Sequence, residues 1–237
     1  QKADLVLTNA NIINVFTESI ETGDVAIADG MIAGIGSYEG VTEKDMTGKY
    51  ICPGFIDGHI HLESSMVAPT EFEKAVLPHG TTAVITDPHE IANVAGSRGI
   101  DFMLKYTEDM TMDVFFVVPS CVPATALDES GACLEAEDIA PFYSNPRVIG
   151  LAEMMNSFGV NQADPAILDK IHVTLEHGGI IDGHAPLLSG RELNGYVAAG
   201  IRSDHECSNA DEAKEKFARG QWIMIREGTA AHNLDAL

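Results

Sequence analysis

From Tyr50 onward the sequence repeats one pattern: an apolar run of strand length that ends in polar residues, followed by an amphipathic stretch. The runs are YICPGFIDGHIH, TAVITDP, DVFFVVPS, VIGLAEMM, IIDGHA, GIRSDHE and QWIMIREGT, starting at Tyr50, Thr82, Asp113, Val148, Ile180, Gly200 and Gln221. PTEFEKAVLPHG, ANVAGSRGIDFMLKYTED, ADPAILDKIHVTLEHGG and NADEAKEKFARG lie between runs and read as helices. Strands alternating with helices predict repeated βα units and a parallel sheet, hence an α/β fold.

The polar endings include Asp57-Gly-His-Ile-His61, Asp87-Pro-His-Glu90, Glu153, Asp182-Gly-His184, Ser203-Asp-His-Glu206 and Arg226-Glu-Gly-Thr229. A (β/α)₈ TIM-type barrel collects its active site at the C-terminal ends of its strands, which is what this placement needs. A doubly wound sheet would gather its site near one switch point. The barrel is therefore expected over residues 50–237, lacking its last strand, because eight are needed for closure and seven are counted. Residues 1–49 read instead as short strands, DLVLTNANIINV and DVAIADGMIAGIG, with a hairpin turn at Asp29-Gly30. They predict a small β domain.

Lys and Arg total 14 against 36 for Asp and Glu, a formal net charge of −22, so a nucleic-acid backbone or an anionic membrane would be repelled. No run is apolar and long enough to span a membrane, and the N-terminal residues lack the basic and apolar regions of a secretion signal. Cys52, Cys121, Cys133 and Cys207 form no CxxC pair, which argues against a disulfide framework and for the cytoplasm. The chain starts without Met and reaches no natural domain end at Leu237, so a fragment of a longer protein is expected.

His59 and His61 stand two apart on a strand, project to one face and can share a metal ion. A chance pair of hydrogen-bonded core histidines would look the same. His184 and His205 fall at later strand ends, however, and Glu153 closes an apolar run where an unpaired carboxylate would be costly. Four imidazoles and a carboxylate converging from separate strands suit two adjacent divalent ions.

PGFIDGHIHLESSM at 53–66 resembles the first-strand signature of the amidohydrolase superfamily. TDPHEIANV, LAEMMN, DGHAPLLSG, RSDHE and REGTAAHNL together resemble the adenine deaminases within it, over nearly the whole chain. The resemblance implies hydrolysis of adenine to hypoxanthine and ammonia in purine salvage, with metal ligands at His59, His61, Glu153, His184 and His205. It also implies a catalytic aspartate after an eighth strand that this chain lacks, and a β-sandwich that residues 1–49 leave incomplete. Two divalent ions are implied as cofactors, Mn²⁺ or Fe²⁺ foremost and Zn²⁺ as an alternative, with a small purine as substrate and a homo-oligomer as the assembly. The chain alone is expected to be deficient in turnover.

His89 and Glu90 join Glu153 and His205 as candidate catalytic residues, for proton shuttling or substrate orientation; a helix-entry turn after Pro88 explains them equally well. Arg226 and Glu227 are candidates for substrate binding or for pairing with each other. Ser203, Asp204 and Glu206 are candidate partners that fix the His205 tautomer, and Glu63 is a weaker candidate. His79 and His177 read as helix caps, and His172, His232 and Asp235 are not carried as site residues. Met154 and Met155 read as wall or packing residues. Another cyclic amidohydrolase, dihydroorotase-like or imidazolone-opening, is the competing enzyme reading, and a noncatalytic barrel subunit is the competing non-enzyme reading.

Overall fold

A computed structural model describes residues 2–125 and 127–237. The chain divides into two compact units, Gln1–Gly54 and Phe55–Leu237.

The first unit is one sheet built from β1 (Ala3–Asn14), β2 (Ser19–Ala28), β3 (Met31–Ile35), β4 (Gly40–Asp45) and β5 (Tyr50–Ile51). Its order is β3-β2-β1-β4, with β5 also on β1; β2 pairs antiparallel to β1 and β3, whereas β4 and β5 pair parallel to β1. The expected hairpin turns at Asp29-Gly30, where both residues adopt positive φ, 53° and 73°, matching the twist of the strands they join. Val6, Ala10, Ile12, Val25 and Ala26 are buried. A sandwich requires two sheets, and the described residues of this unit supply one, so the expectation stands as a small β domain.

The apolar run that begins at Tyr50 is two strands rather than one. Tyr50 and Ile51 pair with Asn11 and Ile12, and Cys52-Pro53-Gly54 then breaks the ladder, because proline has no N–H to donate.

The second unit alternates strands and helices: β6 (Phe55–Ile60), α1 (Pro69–Val76), β7 (Thr81–Thr86), α2 (His89–Ala95), α3 (Ser97–Tyr106), β8 (Asp113–Val118), α4 (Ala136–Ile139), β9 (Val148–Met154), α5 (Ser157–Asn161), α6 (Pro165–Glu176), β10 (Ile180–Gly183), α7 (Gly190–Ala198), β11 (Ser203–Asp204), α8 (Ala210–Phe217) and β12 (Trp222–Ile223). Strands β6 to β10 form a curled parallel sheet in chain order, and β11 and β12 form a parallel pair. Arg202 N donates to Ile181 O at 3.0 Å, which carries the edge of β10 to the approach of β11. The last two runs are shorter as strands than their apolar lengths suggest. Gly200, at φ 104°, still belongs to the turn after α7, so pairing begins only at Ser203.

β8 and β9 are covered on both faces, which is why they read as nearly unbroken Val, Phe, Ile and Leu. Pro69 and Pro165 occupy the first helical positions, where a missing N–H costs nothing. Asp164 caps α6 by accepting from Ala166 N at 3.0 Å, and Asn209 caps α8 by accepting from Glu212 N at 3.0 Å. Val84, Phe116, Leu151 and Ile181, on successive strands, are fully buried with Ile100, Ile139, Ile171 and Tyr196 from the surrounding segments. Each such side chain contributes about 1.5–3 kcal/mol on burial. Among the described residues no helix is long and apolar enough to cross a membrane.

Candidate metal centre

His59 and His61 leave the end of β6 on one face of the chain. His59 Nδ1 donates to Asp182 Oδ2 at 2.7 Å, and His61 Nδ1 donates to the Asp87 carbonyl at 2.9 Å. The Asp182 carboxyl is buried, which would raise its pKa, but His59, His205 and Ser203 outweigh burial and hold it below the usual carboxylate range. Both acceptors thus lack a proton to give, so each Nδ1 carries a hydrogen and each Nε2 is the nitrogen left to face the cluster. The two Nε2 atoms lie 3.3 Å apart. Two nitrogens so close need a cation, a proton or a metal ion, between them.

Glu153, at the end of β9, is the centre of the cluster. Its Oε2 lies 2.8 Å from both His184 Nδ1 and His205 Nε2, and 3.9 Å from His59 Nε2. Its Oε1 lies 3.4 Å from His89 Nδ1 and 3.9 Å from His61 Nε2. Burial would push the carboxyl up, but His184 and His205 hold it well below the ordinary carboxylate range. The His59 and His205 rings stack with centroids 3.8 Å apart. Four overlapping sets have donor atoms within 4.8 Å of one another: His59-His61-Glu153, His59-Asp182-His205, His61-Asp87-His89 and Glu153-His184-His205.

This donor set fits divalent metal ions. Imidazole nitrogen and carboxylate oxygen together suit Mn²⁺, Fe²⁺ or Zn²⁺, and the converging Nε2 atoms of His59 and His61 suit cation binding. His205 Nδ1 is buried without a hydrogen-bond partner, its nearest carboxylate oxygen being Asp182 Oδ2 at 3.9 Å. Ionised Glu153 accepts at Nε2, 2.8 Å away, so the ring is anchored on that side and unpartnered at Nδ1 among the described residues.

Neighbouring segments hold the cluster in register. Ser120 Oγ donates to Glu153 O at 2.6 Å, while Tyr196 Oη donates to Met154 O at 2.6 Å and accepts from His184 N at 2.9 Å. Gly183 allows β10 and β11 to approach, since a Cβ there would overlap the Ser203 carbonyl.

His89 opens α2 and donates from Nδ1 to Asp87 Oδ2 at 2.8 Å. Burial opposes its charge, but Asp87 and Glu153 prevail and push its pKa up to about 9. Glu63 Oε1 accepts from Glu90 N at 3.1 Å and Ile91 N at 3.3 Å, so it caps the helix that carries His89; burial pushes its carboxyl up. The Glu90 side chain is exposed and, among the described residues, makes no hydrogen bond or ion pair.

Arg226 and Glu227 do not pair with each other. Arg226 grips Glu206 with both terminal nitrogens, one of them at 3.0 Å, and Glu206 Oε1 lies 3.5 Å from His205 Nε2 and 3.7 Å from His184 Nδ1. Glu227 is exposed and bonded to His232 at 2.8 Å. Both lie beyond the end of β12 at Ile223, where successive residues find separate partners. Nor do Ser203 and Asp204 fix His205: Ser203 Oγ donates to Asp182, and Asp204, on the opposite face, binds Lys216 at 3.0 Å.

His177 Nδ1 donates to Val173 O at 2.7 Å, as expected of a group at a helix end, and His79 ends a short 3₁₀ turn before Gly80. His172 is exposed beside Glu176. Met154 is buried in the core, and Asp235 is exposed in a turn. Sequence reasoning missed Asp182 and Asp87 as partners of the histidines. Asp182 and His184 alternate around Gly183 just as His59 and His61 alternate around Ile60, so the same period would have found the first of them.

Residues 50–236 match the amidohydrolase family. The chain belongs to that family. It is 54% identical to the adenine deaminase of Oceanobacillus iheyensis over 235 residues, covering 99% of this chain and 40% of that protein. It is 52% identical to the adenine deaminase of Clostridium acetobutylicum over 237 residues, covering 100% of this chain and 42% of that protein. The resemblance read from the motifs is thus borne out at about half identity, and the chain spans about two fifths of the length of these curated relatives. Among solved structures, N-acyl-D-glutamate deacylase from Bordetella bronchiseptica superposes with TM-score 0.65 at 16% identity, covering 95% of this chain and 58% of that one. Beta-aspartyl dipeptidase from Fervidobacterium islandicum superposes with TM-score 0.62 at 18% identity, covering 100% and 68%. Both share this amidohydrolase fold.

Proposed function

We propose that the protein to which this chain belongs hydrolyses adenine to hypoxanthine and ammonia, with His59, His61, Glu153, His184 and His205 holding two divalent ions. The observation that carries the metal site is the approach of His59 Nε2 and His61 Nε2 to 3.3 Å beside Glu153, with both Nδ1 atoms engaged elsewhere. The adenine substrate is supported by the full-chain likeness to proteins named adenine deaminase, which favours it over a ring-opening amidohydrolase.

When bound, such ions lower the pKa of a water toward neutrality and supply the nucleophile for C6 of the purine. The remaining tasks fall to side chains. Asp182 and the Asp87 carbonyl keep His59 and His61 in one tautomer with Nε2 free. Glu153 stays ionised and offers one oxygen to each side of the cluster. His89 carries a proton at neutral pH and is the group for delivering it to the ring nitrogen or the departing amine. Arg226 offsets the charge of Glu206 near His184 and His205, and Arg226, Glu90 and Glu227 are the candidate substrate contacts.

In this reading the five-stranded curled sheet and the β11–β12 pair supply seven strands of a (β/α)₈ barrel, and the first unit is part of a β-sandwich. Mn²⁺, Fe²⁺ and Zn²⁺ all suit the donors. A purine-salvage role in the cytoplasm accords with four free cysteines. The test is ammonia release from adenine by full-length protein loaded with each metal in turn. Turnover of a dihydropyrimidine or hydantoin with adenine untouched would replace the substrate assignment.

A further inference from the structure

Behind the cluster lies an ion network that touches no histidine side chain. Lys216, on α8, is fully buried, as is its partner Asp204, and the Glu212 side chain is nearly so. Lys216 Nζ donates to Asp204 Oδ2 at 3.0 Å, to Glu212 Oε1 at 2.8 Å and to the Ala185 carbonyl at 2.7 Å. All three donor hydrogens of the ammonium are therefore used.

The two carboxylates spend their other lone pairs on backbone amides, and the identity of those amides is informative. Asp204 accepts from Ala185 N at 3.0 Å and from Glu206 N at 2.6 Å. Glu212 accepts from Leu187 N at 2.7 Å and Ser208 N at 3.1 Å. Ala185 and Leu187 follow His184; Glu206 and Ser208 follow His205. One ammonium and two carboxylates thus tie the segment after His184 to the segment after His205. Buried ion networks contribute little stability relative to apolar packing of the same volume, so stability alone does not account for three buried charges here. Fixing the spacing of two chain segments does.

We propose that Lys216, Asp204 and Glu212 are positioning residues that set the distance between His184 and His205, and so build the Glu153-His184-His205 half of the metal centre independently of the His59-His61 half. The second half has its own supports, Asp182 and the Asp87 carbonyl, neither of which the network touches. The proposal rests on the binuclear reading above. Loosening the network should weaken one ion and spare the other.

The experiment is Mn²⁺ titration of the full-length protein stripped of metal, comparing wild type with Glu212→Gln, Asp204→Asn, Lys216→Arg and Lys216→Met. Glu212→Gln is the informative variant, because it keeps the Lys216-Asp204 pair and therefore folding, as far-UV circular dichroism will verify. Wild type should take up two equivalents. Glu212→Gln and Asp204→Asn should bind one equivalent as wild type does and the other about 10–100-fold more weakly, the usual cost of losing an outer-shell support. Lys216→Arg should restore part of what Lys216→Met loses. Folded variants that bind both equivalents with wild-type affinity, whatever their thermal midpoint, would reduce the network to a structural role and overturn the proposal. Weakening of both equivalents alike would overturn the independence of the halves. Wild type that takes up fewer than two would overturn the binuclear reading and this proposal with it.

Discussion

Asp182 accepts a hydrogen bond from His59 Nδ1 at 2.7 Å, and that contact decides which nitrogen of His59 is free for a metal. An amide in its place can turn its NH₂ toward Nδ1, which favours the opposite tautomer and removes the lone pair from Nε2. Asp182→Asn should therefore lower metal affinity about 10–100-fold in the full-length protein. Metal titration checks this, and unchanged affinity would mean that His59 is oriented by packing alone.

Metal removal should lower thermal stability, because ions that bind the folded state stabilise it by about 2.7 kcal/mol at a hundredfold excess over Kd. Glu153 reaches both halves of the cluster, so Glu153→Gln should abolish most of the difference between metal-loaded and chelated protein. Scanning calorimetry with and without a chelator reads the difference directly.

The pH dependence of stability has a defined sign at Glu212. Burial would raise its pKa from the ordinary 4.5, but Lys216 and the amides of Ser208 and Leu187 lower it. A carboxyl depressed in the folded state contributes stability that is complete above its unfolded pKa and is lost as pH falls through the lower folded value. Thermal midpoints of metal-free wild type should decline on acidification below about pH 4.5 more steeply than those of Glu212→Gln. Parallel curves would show that the folded and unfolded proton affinities of Glu212 are equal.

The legible parts of the fold and site were those governed by local period. Alternation put His59 and His61 on one face, the apolar runs located the starts of β7 to β10 within a residue, and Asp29-Gly30 marked its hairpin. What escaped depended on partners distant in sequence. Asp182 is 123 residues from His59, and nothing near it in the chain shows that an imidazole will receive its lone pair. Lys216 stands in DEAKEKFARG, a segment that reads as a solvated helix face, yet it is fully buried because Asp204 and Glu212 meet it there. The division of the run at Tyr50 was visible at Pro53, but an apolar stretch on both sides concealed it.

Tyr196 supplies a stability test close to the site. Its hydroxyl donates to Met154 O and accepts from His184 N, and the ring is fully buried. Tyr196→Phe removes one hydrogen-bond partner from the Met154 carbonyl and one from the His184 amide, so destabilisation of about 1–3 kcal/mol is expected in urea unfolding. A neutral result would mean that water replaces the hydroxyl.

Gly183 should be the least replaceable glycine near the site, for steric rather than conformational reasons. A Cβ at this position would overlap the Ser203 carbonyl and lie 2.8 Å from Ile201 Cγ2 and 3.2 Å from Tyr196 Oη. The carbonyl is backbone of β11 and cannot turn aside without moving His205, and Tyr196 cannot retreat without releasing His184. Gly183→Ala should therefore cost about 1–3 kcal/mol from overpacking and weaken metal binding as well. Gly178→Ala is the control: its φ of 73° makes alanine strained, but a Cβ there meets nothing within 4 Å. That change should cost about 1–2 kcal/mol of backbone strain and leave metal affinity as in wild type. If both variants lose stability alike and neither alters metal binding, the close approach of β10 to β11 is not what brings His184 and His205 to Glu153.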